Sequence, residues 1–133
     1  MDELDKKIIQ FLREDSQLTN KEIGSKIHLT GQAVGKRILN LKDEKVIESY
    51  TIKVNYANKQ FIRVFMEGNY FQNIEQKIME YTEIDEFYKV SGHACYVVVA
   101  HFEQQHLNDF IEAISKWARC SVDTVVKDKF KMR

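Results

Sequence analysis

A chain of 133 residues, 44% hydrophobic and 30% charged, suits one domain or two small ones and lies far from the disordered range. Its 20 basic and 20 acidic residues cancel, so attraction to a polyanion has to come from local clustering, not from a global field. No apolar run approaches the roughly 20 residues of a membrane span, the N-terminal Met-Asp-Glu-Leu-Asp has no signal-peptide core, and Cys95 and Cys120 make no disulfide framework, which together point to a cytoplasmic protein with no membrane partner.

The first expected element is a helix from about Asp2 to Asp15. Leu4, Ile8, Phe11 and Leu12 repeat on one face, and Asp2, Glu3 and Asp5 lie in the first turn, where negative charge suits the helix dipole. Two more helix starts follow. Thr19 with Glu22 forms a capping box ahead of Ile23 and Ile27. Thr30 can cap a helix to about Asp43, on which Val34, Ile38 and Leu41 form the buried stripe while Gln32, Lys36 and Asn40 point away and Arg37 lies on the flank. None of the three helices is long enough to stand alone, so their stripes must meet in one small core. A short helix, a tight turn and a second helix with a polar, basic outer face is the pattern of a helix-turn-helix.

Charge agrees with that pattern. Between Ser16 and Lys42 the basic residues Lys21, Lys26, Lys36, Arg37 and Lys42 are opposed only by Glu22, and duplex DNA is held largely by phosphate neutralisation. The candidate DNA contacts are therefore Thr19 and Thr30 at the two helix starts, and Gln32, Lys36, Arg37 and Asn40 on the third helix. Gln and Asn match adenine edges and Lys matches guanine. For Arg37 an ion pair within its own domain is as good a role as a phosphate contact. Gly35 permits a close backbone approach to DNA, or is simply tolerated in the helix.

Val46 to Tyr56 follows, with Tyr50, Ile52, Val54 and Tyr56 alternating with polar residues. This predicts a strand that serves as a wing. The expected organisation is a winged helix-turn-helix domain over 1–56, a linker over 57–60 and a second domain over 61–133.

The second domain has another rhythm. Strands are expected over Phe61–Glu67, Ile84–Ser91, Cys95–Phe102 and Val122 to about Lys127, with helices marked by Phe71, Ile74, Ile78 and Tyr81 and by Leu107 to Trp117. The order β-α-β-β-α-β is the ferredoxin-like arrangement, whose first and third strands are central, so the overall class is α+β. Two helices cover one face of such a sheet. The run Tyr96–Ala100 is apolar on both faces, so a second copy is expected on the other face and the chain is expected to be at least a dimer. His93, Cys95, His101 and Cys120 match no zinc spacing. No nucleophile–base pair with a third partner, phosphate loop or paired-carboxylate site is evident. Neither a cofactor, a metal nor a catalytic activity is expected.

In order and spacing the sequence resembles the Lrp/AsnC family of transcription regulators over essentially its whole length. The resemblance is carried by Leu4-Asp5 with Ile8 and Leu12, Leu18-Thr19 with Glu22-Ile23-Gly24, Leu29-Thr30, Val34 with Arg37-Ile38, Leu41, Val46-Ile47 with Tyr50, and Tyr88 to Gly92. It implies a sequence-selective DNA-binding regulator that dimerises through the second domain and assembles into an octamer or similar ring of dimers. It also implies an amino-acid effector near the turn after the second strand, here Gly92, His93, Ala94, Cys95 and Tyr96. That turn commonly reads Gly-Asp-Tyr-Asp in the family; here it reads Gly92-His93-Ala94-Cys95, without either acid. Lys45 likewise stands where the family usually has a glycine. Two alternatives stand beside this reading: an architectural DNA-wrapping protein without effector response, and a small-molecule-binding ferredoxin-like protein that no longer binds DNA.

Overall fold

The computed structural model describes residues 1–130, so the last three residues of the expected second domain, 131–133, lie outside it. The chain forms two compact units, Met1–Lys53 and Val54–Arg133.

The first unit is three helices: α1 (Glu3–Glu14), α2 (Asn20–Ile27) and α3 (Gly31–Asp43). Ile8, Ile23, Ile27, Val34 and Ile38 form their shared core, with Leu4, Phe11, Leu12, Leu18, Leu29 and Ile47 packed around it. Helix α3 ends in a Schellman motif. The Lys45 N–H donates to Lys42 and the Val46 N–H to Leu41, with Lys45 at φ 63°. A lysine thus occupies the left-handed position where glycine is the unstrained choice.

The expected wing does not form. Residues 46–56 pair with no strand among the described residues, and Tyr50, Ile52, Val54 and Tyr56 are all exposed. Alternation describes a surface able to lie on a core; it does not supply the ladder that makes a strand. The two tyrosines are pinned instead. Tyr50 lies under the Lys42 ammonium, 4.8 Å from its ring centroid. Tyr56 stacks on His101 with ring centroids 3.6 Å apart.

The second unit runs β1 (Gln60–Met66), α4 (Phe71–Ile78), β2 (Ile84–Lys89), β3 (Tyr96–Ala100), α5 (Gln104–Ile114) and β4 (Ala118–Thr124). Its four strands are antiparallel in the order β2-β3-β1-β4, so the first and third strands are central, as the pattern predicts. Ile62, Val64, Tyr96, Val98, Ala100, Ala118 and residues of α4 and α5 make one core on one side of the sheet. The last strand begins earlier than its apolar run suggests. Helix α5 stops at Ile114, Trp117 closes a turn onto it, and Ala118 already pairs with Met66.

Gln60, outside the expected strand, is 2% exposed. Its side-chain amide donates to the Phe102 carbonyl at 2.8 Å and accepts from the Phe102 N–H at 2.9 Å. The backbone ladder between β1 and β3 ends at Gln60 and Ala100. The amide side chain then takes the place of a further peptide group, satisfying both backbone groups of a buried residue.

The opposite face of the sheet carries Phe61, Arg63, Phe65, Tyr88, Val97 and Val99. It is less open than the sequence alone predicts. Val99 is already buried within the chain, between Phe61 and Glu86 on the neighbouring strands, while Phe61 and Tyr88 are exposed and Val97 half-buried.

Candidate nucleic-acid interface and effector turn

Both helix starts are capped. The Thr19 hydroxyl accepts from the Glu22 N–H at 3.1 Å, and the Glu22 carboxylate accepts from the Thr19 N–H at 3.0 Å. That backbone hydrogen bond is the main cause holding the Glu22 carboxyl below its ordinary value. The Thr30 hydroxyl accepts from the Ala33 N–H at 3.0 Å, so it serves the helix.

The turn between the two helices is set by Gly24 and His28. The Gly24 carbonyl accepts from the Leu29 N–H at 2.9 Å, and His28 adopts the left-handed conformation at φ 60°. The chain returns so closely that a Cβ on Gly24 would lie 2.3 Å from the Leu29 carbonyl oxygen. Gly35 faces α2. A Cβ there would lie 3.0 Å from the amide end of the flexible Asn20 side chain.

On α3, Val34, Ile38 and Leu41 are buried, and Gln32, Lys36 and Asn40 are exposed. Arg37 is half-buried and takes the ion-pair role. Its Nη1 lies 2.8 Å from Asp2 Oδ2 and 3.1 Å from Asp5 Oδ1, fastening α3 to the start of α1. Asp2 also caps α1 by accepting from the Asp5 N–H at 2.9 Å. The Arg37 hydrogen bond, followed by the Asp5 N–H, holds the Asp2 carboxyl below the ordinary carboxylate range. The same pair raises the arginine. Beside it, Met1, Asp5, Lys36, Arg37, Asn40, Leu41 and Glu44 line an open depression of about 330 Å³.

A depressed carboxyl contributes stability above its unfolded value, near pH 4, and that contribution is lost as pH falls through the lower, folded value. The helical unit should therefore weaken on acidification below about pH 4. In Asp2→Asn, which keeps a capping side chain but no charge, circular dichroism should show a smaller drop in thermal midpoint between pH 6 and pH 3 than in the parent. Equal drops would mean that the Asp2–Arg37 pair does not contribute.

The turn over 92–95 is anchored at Cys95, whose N–H donates to Val64 and whose carbonyl accepts from the Val90 N–H. Gly92 and His93 are exposed, Ala94 is buried and Cys95 half-buried. The His93 ring meets Phe65 edge-on at 5.3 Å. Tyr96 faces the other way, into the core, where its hydroxyl donates to Glu75 on α4. Burial, with that carboxylate beside it, pushes the Tyr96 hydroxyl well up. The five residues expected around an effector thus divide into an exposed turn and a core tyrosine. Burial also pushes the Cys120 thiol up to about 11, which suppresses the thiolate. Among the described residues no three His, Cys, Asp or Glu side chains come together to hold a metal, and no helix is long and apolar enough to cross a membrane.

Comparison with known proteins agrees with this geometry. Residues 1–42 match the AsnC-type helix-turn-helix domain, and residues 59–129 match the Lrp/AsnC ligand binding domain. The chain is 33% identical over 134 residues to the HTH-type transcriptional regulator LrpB of Bacillus subtilis (strain 168), covering 96% of this chain and 90% of that protein. In fold it is similar to the solved structure of B. subtilis LrpC, with a TM-score of 0.87, 24% identity and 96% coverage of both chains. It is also similar to a Neisseria meningitidis transcriptional regulator, NMB0573, solved as its L-Met complex, with a TM-score of 0.83, 20% identity, and coverage of 96% of this chain and 91% of that one.

Proposed function

The chain belongs to the Lrp/AsnC family of transcriptional regulators, and from that premise we propose that it binds duplex DNA sequence-selectively through α3. The observation that carries this reading is the outer face of that helix. Gln32, Lys36 and Asn40 are exposed there, on a helix-turn-helix whose starts and turn are all locally closed. Thr19 and Thr30 stand at the two helix starts, where backbone N–H groups suit phosphate oxygens. Lys21, Lys26 and Lys42 are exposed on the same unit and supply sequence-independent attraction. Arg37, held by Asp2 and Asp5, contributes by orienting the helix. A cytoplasmic location and the absence of catalysis belong to the same reading.

Lys36→Ala should weaken binding by roughly tenfold, within the range for losing one good base contact, and leave the thermal midpoint unchanged because Lys36 is exposed. Anisotropy titrations over a range of salt would measure this. An unchanged affinity and salt slope would remove Lys36 from the interface.

Dimerisation through the open sheet face, and assembly of dimers into an octamer or similar ring, complete the reading. Support comes from Phe61, Phe65, Tyr88 and Val97, which lie on one side of the sheet. Phe61→Lys should fold normally, because Phe61 is exposed and one of its two cross-strand neighbours, Val99 and Asp123, is acidic, yet shift the mass measured by light scattering toward the monomer. An unchanged mass would move the dimer contact elsewhere.

An amino-acid effector is supported by the ligand-binding-domain match. The turn Gly92-His93-Ala94-Cys95 supplies no carboxylate for an amino-acid ammonium group. That observation favours a second reading, an architectural DNA-wrapping protein without effector response. Calorimetric titration with the free amino acids, with and without DNA, separates the two.

A further inference from the structure

One residue on the outer face of α3 does not fit a solvated surface. Setting the line of Val34, Ile38 and Leu41 inward, a rotation of about 100° per residue puts Gln32, Lys36 and Asp43 on the opposite side, with Leu39 and Asn40 on its two edges. Leu39 is 61% exposed there. Helix propensity does not call for it, since Lys, Gln and Glu serve an exposed helical position about as well as Leu. Its setting is polar and basic, with Lys36 one turn before it and Lys42 one turn after.

Building on the DNA-binding reading above, we propose that Leu39 reads sequence by packing against the C5 methyl group of a thymine in the major groove, within two base pairs of the base met by Lys36. At about 1.5 Å per residue, Lys36 and Leu39 are offset by about 4.5 Å along the helix. Successive base pairs are about 3.4 Å apart. The thymine methyl is the one apolar group on the major-groove edges, and a side chain without polar atoms distinguishes it by contact alone. The outer face then carries three kinds of reader in sequence: the Gln32 amide, the Lys36 cation and the Leu39 isobutyl group.

The test uses the intact chain and duplexes that it selects from a random-sequence library. In the best duplex each thymine is replaced singly by deoxyuridine, which removes only the methyl. Dissociation constants are measured at fixed salt for the parent and for Leu39→Ala. The parent should bind about three- to fivefold more weakly when one particular thymine of each half-site loses its methyl. Leu39→Ala should bind the unmodified duplex correspondingly more weakly and be indifferent to every replacement. Its thermal midpoint and assembled mass should be unchanged.

A parent that ignores all the replacements, or a Leu39→Ala protein that keeps the sensitivity, overturns the inference and leaves the regulator reading standing. A Leu39→Ala protein with altered mass that weakens on every duplex alike overturns it too, by assigning Leu39 to a protein contact. A parent that binds no duplex overturns the regulator reading and this inference with it.

Discussion

Gln60→Leu should lower the stability of the C-terminal unit by roughly 2–6 kcal/mol, from two buried backbone groups left unpaired at about 1–3 kcal/mol each. For a unit of this size that is on the order of 10–40 °C in thermal midpoint. Leucine matches the glutamine in bulk and is more apolar, so volume and burial alone would predict little change. The expected loss comes entirely from the Phe102 N–H and carbonyl, which the Gln60 amide satisfies. A companion variant fixes the sign. Gln60→Glu keeps an acceptor for the Phe102 N–H but, when ionised, has no donor for the carbonyl and places a charge where Gln60 is 2% exposed. Its carboxyl should titrate above the ordinary range in the folded state, because the neutral form both donates and avoids desolvation. The variant should therefore be more stable near pH 5 than near pH 7.5, measured relative to the parent at each pH. A Gln60→Leu midpoint within a degree or two of the parent would show that water or a rearranged strand end replaces the amide.

Gly24→Ala is the second large effect. Alanine is favoured over glycine in a helix interior by about 1 kcal/mol, so propensity alone predicts stabilisation. The structure predicts the opposite sign. The new Cβ would lie 2.3 Å from the Leu29 carbonyl oxygen, and that atom is backbone, so the turn itself has to move. We expect a net loss of roughly 2–4 kcal/mol in the helical unit, as for severe overpacking, and at least tenfold weaker DNA binding because α3 loses its seat on α2. Gly35→Ala is the matched control. There the nearest atom is the amide end of Asn20, at 3.0 Å. A flexible side chain can swing aside, so stability should be unchanged or rise by up to about 1 kcal/mol. If both substitutions behaved alike, the close approach at Gly24 would not be what sets the turn.

The contrast between the two glycines shows what could be read from the sequence and what could not. Helices announce themselves through apolar spacing and local caps. Thr19 with Glu22, Thr30, and the stripe of Val34, Ile38 and Leu41 were therefore all legible in one dimension. Strand order was legible because β-α-β-β-α-β has few ways to close, and the apolar run at Tyr96–Ala100 marked a central strand. The rest depended on partners distant in sequence. Nothing local says that the Gln60 amide will meet Phe102, or that Arg37 will choose Asp2 and Asp5 over an outward position. The segment around Tyr50 to Tyr56 had every local property of a strand and lacked only a neighbour, which no local property reveals. Leu39 was hidden differently. Exposed leucines are common on protein surfaces, and this one gains meaning only from the face on which it stands.

The two cores share no residue: one is built from Ile8 to Ile47, the other from Ile62 onward. Substitutions at Gly24 and at Gln60 have no partner in common, and their effects on stability are expected to add. A substitution in the turn at Gly92–Cys95 therefore leaves the packing of the helical core untouched. In such a chain the residues of one core can change without disturbing the packing that seats α3.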